Sequence, residues 1–87
     1  MNPNVILMHM GDNVAVATCP IKAGEQARLS GLTLSANQDI PRGHKLATRD
    51  IAKGQEIIKY GEPIGAAKDD IRAGDHVHVH NLDPGGK

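Results

Sequence analysis

The segment 76–81 reads His-Val-His-Val-His-Asn and holds three of the five histidines of this 87-residue chain. Alternate side chains of a strand point to the same face, so this pattern predicts three histidines on one face and Val77 and Val79 buried behind them. Histidines two positions apart would lie about 6.7 Å apart along the strand, close enough to converge on one metal ion. The alternative is a solvated polar face of an edge strand.

The candidate metal ligands are His76, His78, His80 and His9. In a fully extended strand His76 and His80 would be about 13 Å apart, too far to share one ion easily. The strand therefore supplies at most one adjacent pair, and further ligands are expected from another segment. His44 and His9 are the remaining histidines, and Asp12 and Asp75 are possible carboxylate ligands.

Two other segments could bind an anion. Gly-Asp-Asn at 11–13 and Gly-His-Lys at 43–45 put polar groups beside a glycine, where the backbone can approach a carboxylate closely. Two ordinary turns are the alternative. Tyr60, the only aromatic residue, could donate a proton to a substrate, although a lone tyrosine more often fills the core with its hydroxyl outward. The candidate substrate-facing residues are His44, Lys45, Lys59, Tyr60, Asp12 and Asn13.

Composition excludes several classes of protein. Ten basic and ten acidic residues give no net charge, which argues against a nucleic-acid or anionic-membrane surface. One cysteine excludes an internal disulfide. The longest apolar run, Val5–Met8, is too short to span a bilayer, and the segment 1–4 lacks the positive charge of a secretory signal. We therefore expect one small domain in the cytoplasm.

A recurring turn must position these residues. The unit Ile-x-x-Gly begins at Ile21, Ile40, Ile51 and Ile71, and Asp precedes the last three. We expect the isoleucine to enter the core and the glycine to adopt a positive φ. The Asp carboxylate is expected to accept a hydrogen bond from a backbone N–H two residues further on.

Short apolar or alternating runs between the turns predict an all-β domain of seven or so strands, with a core of Ile, Val, Leu, Ala and Met. One domain spans residues 1–87, with its core at about 5–82 and a flexible tail at 83–87. The predicted strands are Val5–Met8, Val14–Ala17, Arg28–Ser30, Leu32–Ser35, Lys45–Thr48, Glu56–Tyr60, Pro63–Ala67 and His76–His80.

Five motifs in register resemble the amino-terminal SAF domain of the altronate and galactarate dehydratase family. They also resemble the free-standing small subunit of sulfolactate sulfo-lyase. The resemblance implies a small β-clip fold. The motifs are Asp-Asn-Val-Ala-Val-Ala at 12–17, Ile-Pro-Arg-Gly-His-Lys-Leu-Ala at 40–47, Asp-Ile-Ala-Lys-Gly at 50–54, Ile-Lys-Tyr-Gly at 58–61 with Ile-Gly at 64–65, and the histidine segment at 76–81.

The resemblance further implies a small subunit that acts with a large catalytic subunit to eliminate water from a sugar acid. A divalent metal, iron(II) or a relative, would lie on the partner or be shared with it. No catalytic residue is expected on this chain alone. The alternatives are the small subunit of a sulfolactate sulfo-lyase, a free-standing metal- or carboxylate-binding module, and a structural oligomerisation domain.

Overall fold

The computed structural model describes residues 3–29 and 31–85, and every regular element within them is a short β-strand. The all-β prediction is confirmed, with more strands than the seven or so expected. No helix in this part of the chain is long and apolar enough to cross a membrane. The strands are β1 (Val5–Ile6), β2 (Val14–Ala17), β3 (Gln26–Leu29), β4 (Leu32–Ser35), β5 (Lys45–Ala47), β6 (Glu56–Lys59), β7 (Glu62–Ala67), β8 (His76–Val77) and β9 (Leu82–Asp83).

The strands form three small antiparallel sheets. The largest has the order β1-β2-β5-β8, the hairpin β3–β4 stands by itself, and the third has the order β6-β7-β9. The hairpin β3–β4 turns at Gly31, and Ser30 lies outside the described residues. At the other end, Asp83 pairs with Ala66, so the prediction of a flexible tail from residue 83 is wrong at its first residue. Residues 86–87 of that tail lie outside the described residues.

The four Ile-x-x-Gly turns are joined in pairs. Ile21 forms an antiparallel bridge with Ile40, and Ile51 forms one with Ile71. All four isoleucine side chains are buried, as predicted, and burying one contributes roughly 1.5–3 kcal/mol. Each pair of turns therefore closes the chain around its own part of the core.

The Asp residues before the turns bond across each pair, not within their own turn. The Asp50 carboxylate accepts a 2.9 Å hydrogen bond from the Ala73 N–H, and Asp70 accepts one of the same length from the Lys53 N–H. Asp39 accepts from the Ala23 N–H in the other pair. The predicted bond to a residue two positions further on is wrong, because the paired turn presents its N–H groups to this carboxylate.

The two pairs of turns belong to two similar halves of the chain. Ile51 and Ile71 follow Ile21 and Ile40 by 30 and 31 residues. Hairpin β3–β4 lies within the first pair and hairpin β6–β7 within the second. The one extra residue of the second half is Ile64, at a β-bulge in β7. The two halves thus repeat one arrangement, a pair of turns around a hairpin.

Each half has its own apolar cluster, built from small aliphatic side chains. Methionine was predicted to join the core, but Met10 is 94% exposed, and Tyr60 is also exposed instead of filling the core. The first cluster contains Val5, Ala15, Ala17, Ile21, Ala27, Ala36, Ile40 and Leu46. The second contains Val14, Ala47, Ile51, Ile57, Ala67, Ile71, Val77 and Leu82.

The predicted strand across the histidine segment is much shorter than expected. β8 ends at Val77, which is buried as predicted, and the chain then turns. Val79 is 70% exposed, so the prediction that it is buried is wrong. The turn forms because the Asn81 N–H and the Leu82 N–H both donate to the His78 carbonyl, which takes the chain out of the β5–β8 ladder.

The turn glycines provide a test of this architecture. Gly54 and Gly74 have φ values of 86° and 92°, but a Cβ on Gly54 would meet nothing, whereas one on Gly74 would overlap the Ser35 carbonyl oxygen. We expect Gly54→Ala to lower the free energy of unfolding by about 1–2 kcal/mol. Gly74→Ala should lower the free energy of unfolding by about 1–3 kcal/mol more than Gly54→Ala does, because its new Cβ would overlap a backbone oxygen that cannot move aside as a side chain can. Urea denaturation measures both, and equal losses would contradict the close packing of the turn at Gly74 against the end of β4.

Candidate functional site

The pairing of β5 with β8 brings two histidines together. His76 stands opposite Leu46 in the antiparallel register, and His44 lies two residues before Leu46. Residues opposite each other, and residues two apart on one strand, share a face of the sheet. His44 and His76 therefore meet at the edge of that face. His78, two residues after His76, joins them although it lies just beyond β8.

The three imidazole rings stack against one another. The ring centroids of His44 and His78 are 4.3 Å apart, those of His44 and His76 are 5.1 Å apart, and those of His76 and His78 are 5.6 Å apart. His44 Nδ1 lies 2.9 Å from His76 Nε2. At that distance one nitrogen donates and the other accepts, so the two rings share a proton between defined atoms. We call His44, His76 and His78 the histidine cluster.

Two amides hold the backbone of the cluster in place. The His76 N–H donates to Gln38 Oε1 at 2.8 Å, and the His78 N–H donates to Asn81 Oδ1 at 2.9 Å. The Asn81 amide also donates to the His76 carbonyl, and this side chain is buried. Sequence reasoning missed these positioning roles. Only Asn81 carried a signal, because it directly follows the histidine tract.

His80 and His9 lie outside the cluster. The turn after Val77 brings the His80 ring to 5.3 Å from the His76 ring, so the separation of about 13 Å expected for an extended strand is wrong. Even so, His80 is not among the three residues whose ligand atoms all lie within 4.8 Å of one another. His9 Nδ1 instead accepts a hydrogen bond from the Gly11 N–H. Metal binding by any of the five histidines stays a prediction.

Asp12 and Asn13 bond to the backbone of hairpin β6–β7. The two Asp12 carboxylate oxygens accept from the Tyr60 N–H at 3.0 Å and the Gly61 N–H at 2.8 Å. Asn13 accepts from the Ile58 N–H at 2.8 Å and donates from its amide to the backbone of β6. Both side chains are buried, so the structure places them as supports of the hairpin. Their proposed contact with a substrate is untested.

One exposed aromatic ring and two positive charges come from Tyr60 and from Lys59 and Lys45. Tyr60 is 61% exposed and has a φ of 58°, a left-handed conformation fixed by the bond from its N–H to Asp12. Lys59 Nζ lies 5.4 Å from the centre of this ring. Burial, and then the charge of Lys59, lower the pKa of Lys45. We call the cluster together with Lys45 and Lys59 the histidine–lysine face.

The surroundings of His76 and His78 favour the neutral form of these two imidazoles. Burial lowers the pKa of His76, and the neighbouring His44, His80, His78 and Lys45 lower it further. Burial also lowers the pKa of His78, followed by repulsion from His44, Lys45 and His80. A neutral imidazole has one nitrogen that can accept a proton or bind a metal ion, so this environment prepares the rings for either role.

Acid should therefore destabilise the fold through these rings. An unfolded histidine has a pKa of about 6.5, and that of His76 is lower in the folded state. Below about pH 6.5 the unfolded chain binds more protons, so the free energy of unfolding falls as pH falls from 6.5 through the folded pKa. With a chelator present, His76→Asn should reduce the slope of the free energy of unfolding against pH, whereas His9→Asn should leave that slope unchanged. Urea denaturation between pH 7 and pH 5 measures the slopes, and an unchanged slope in His76→Asn would refute the expectation.

The chain is similar to two groups of known proteins. The chain is 51% identical to altronate dehydratase of Escherichia coli over 76 residues, which are 87% of this chain and 15% of that protein. It is 49% identical to (2R)-sulfolactate sulfo-lyase subunit alpha of Chromohalobacter salexigens over 51 residues, 59% of this chain and 54% of that subunit. The equivalent subunit of Paracoccus pantotrophus is 46% identical over 52 residues, 60% of this chain and 78% of that subunit.

These relatives differ in how much of their length the match occupies. This chain spans about 15% of the altronate dehydratases it matches, but more than half of each sulfolactate sulfo-lyase subunit. The sequence model of the altronate/galactarate dehydratase SAF domain matches residues 3–84, which is nearly the whole chain. The chain therefore belongs to the family of altronate/galactarate dehydratase SAF domains.

Proposed function

We propose that this SAF domain acts beside a large catalytic subunit of a cytoplasmic lyase that removes water from a sugar acid such as altronate. The observation that carries the proposal is the histidine–lysine face in a chain of this family. It gathers three imidazoles within the charge influence of Lys45, and Lys45 in turn interacts with the charge of Lys59. A hydroxy acid brings to such a face one carboxylate and several hydroxyl groups. The free Cys19 suits a reducing compartment.

The face suits the charge changes of such an elimination. A base removes the proton next to the carboxylate, negative charge builds up on the carboxylate oxygens, and the hydroxyl on the next carbon leaves with a proton as water. Lys45 and Lys59 would attract the carboxylate and stabilise that charge. The proton shared by His44 and His76 lies between groups that can give or accept one. The base itself is assigned to the large subunit.

The geometry also favours a partner over activity by this chain alone. A groove of about 450 Å³ is large enough for a small ligand, but it is open to solvent and the histidine cluster does not line it. Its lining residues are Asn13, Arg49, Asp50, Gln55, Glu56 and Ile58. The three histidines of the cluster are half-buried. A second protein surface closing over them would exclude water from the intermediate.

A second candidate is the small subunit of a sulfolactate sulfo-lyase. The observation that favours it is that this domain occupies 78% of the Paracoccus pantotrophus subunit, so such a domain can form most of a separate chain. The reaction would expel sulfite instead of hydroxide from the carbon next to the reacting one. The two candidates share the face and differ in the leaving group that the large subunit accepts. A module without an enzyme partner would bind a carboxylate but show no partner-dependent turnover, and self-association is compatible with each candidate.

Reconstitution tests the proposal. The large subunit is purified with this chain from the native host, and formation of the 2-oxo acid from altronate, or of sulfite from sulfolactate, is measured. We expect no turnover by the 87-residue chain alone and turnover by the pair. His44→Ala or Lys45→Ala should lower turnover by about 10–100-fold while the complex still forms, because each removes a polar group of the face.

The matched control is Lys22→Ala, which removes an exposed lysine from a turn outside the face and should leave turnover unchanged. Turnover by the isolated chain would contradict the proposal. So would a reconstituted pair whose rate is the same with His44→Ala, Lys45→Ala and Lys22→Ala.

A further inference from the structure

We infer that His44, His76 and His78 form a binding site for one divalent transition-metal ion within this chain. One ligand atom from each ring lies within 4.8 Å of the others. In residues 3–29 and 31–85 no other group of three or more histidines, cysteines or carboxylates is gathered in this way. The inference goes beyond the proposed function, because it concerns binding by this chain with or without a lyase partner.

The spacing of the nitrogens fits a shared ion. Imidazole nitrogens bind zinc at about 2.0–2.1 Å, so two of them on one ion lie roughly 3 Å apart. His44 Nδ1 and His76 Nε2 are already 2.9 Å apart. An ion between them would replace that hydrogen bond, and the proton of the donor ring would move to the other nitrogen of that ring. The stacked rings would also have to rotate, so that the nitrogen lone pairs in the ring planes converge on the ion and the His78 nitrogen approaches the other two.

The backbone that carries the rings is held before any ion binds. β5 and β8 pair directly at Leu46 and His76, and the Gln38 and Asn81 amides fix the N–H groups of His76 and His78. Little conformational freedom is therefore lost on binding. Three rings attached to flexible loops would lose far more of it, and their affinity would be lower.

The donor set selects the class of ion. Three neutral imidazoles without a carboxylate suit zinc, iron(II), cobalt(II) or nickel(II), whereas magnesium and calcium prefer oxygen ligands. Three protein ligands leave coordination positions for water or for an oxygen of a bound acid. An ion held there would supply Lewis-acid polarisation of that oxygen.

Cobalt(II) and zinc titrations of the 87-residue chain test the inference directly. The chain is first freed of metal with chelator and dialysed. Cobalt(II) should produce a visible absorption band that saturates at one ion per chain. Zinc should displace the cobalt and shift the imidazole ¹⁵N resonances of His44, His76 and His78. No binding by the metal-free chain, or saturation at one ion per two chains, would overturn the single-chain site.

Substitutions then assign the ligands. His44→Asn, His76→Asn and His78→Asn should each lower cobalt(II) affinity at least about tenfold. His9→Asn removes a histidine outside the cluster and should leave the affinity unchanged. Far-UV circular dichroism in chelator confirms that each variant is folded. If a variant does not fold, the zinc-induced ¹⁵N shifts of the unaltered chain identify the ligands instead. Equal losses in His9→Asn and in the three cluster variants, or no loss in any of them, would overturn the assignment.

Discussion

Two bridges between buried isoleucines, Ile21 with Ile40 and Ile51 with Ile71, are the contacts on which the rest of this structure depends. The described residues contain no helix, the chain has a single cysteine, and its one aromatic side chain is exposed. A small domain of this kind has little apolar surface to bury and must fix its chain reversals accurately. The paired turns do so by combining a buried side chain with a carboxylate bonded across the pair.

The turns also determine where the histidine cluster lies. The turn at Ile40 leads directly into His44 and β5, and the turn at Ile71 leads directly into β8. β5 and β8 are neighbours in one sheet, so the two turn exits lie side by side. The histidine cluster is therefore located where the two similar halves of the chain meet, and each half supplies part of it.

The turns show how much of the fold the sequence could predict. The Ile-x-x-Gly units correctly predicted buried isoleucines and glycines with positive φ, because both properties are local to a turn. The pairing of turns was not predictable in this way. Asp50 bonds to Ala73, 23 residues later, and nothing in the turn around Asp50 indicates that partner.

The histidine segment shows the same division between local and long-range information. Its alternation correctly predicted that Val77 is buried, because Val77 lies within β8. The prediction failed at Val79, because the hydrogen bonds that the Asn81 and Leu82 N–H groups donate to the His78 carbonyl turn the chain there and outweigh the two-residue period. Spacing along one segment could not bring in His44, which reaches the cluster only through the register of β5 with β8.

Burial and charge repulsion both act on the protonation of His76 and His78 in the histidine cluster. Burial of His76 and His78 favours their neutral forms, and repulsion from neighbouring charged imidazoles and from Lys45 favours them further. A neutral ring has one nitrogen that accepts a hydrogen bond, as one ring of the pair His44 and His76 does, and this nitrogen can instead accept a proton or bind a metal ion. A surface that keeps histidines neutral while retaining lysines at its margin thus has two properties at once. It presents basic nitrogens without their own charge, and it attracts anions. Under the proposed function, the attraction of anions would draw the carboxylate of the substrate to this surface, while a base of the large subunit removes the proton.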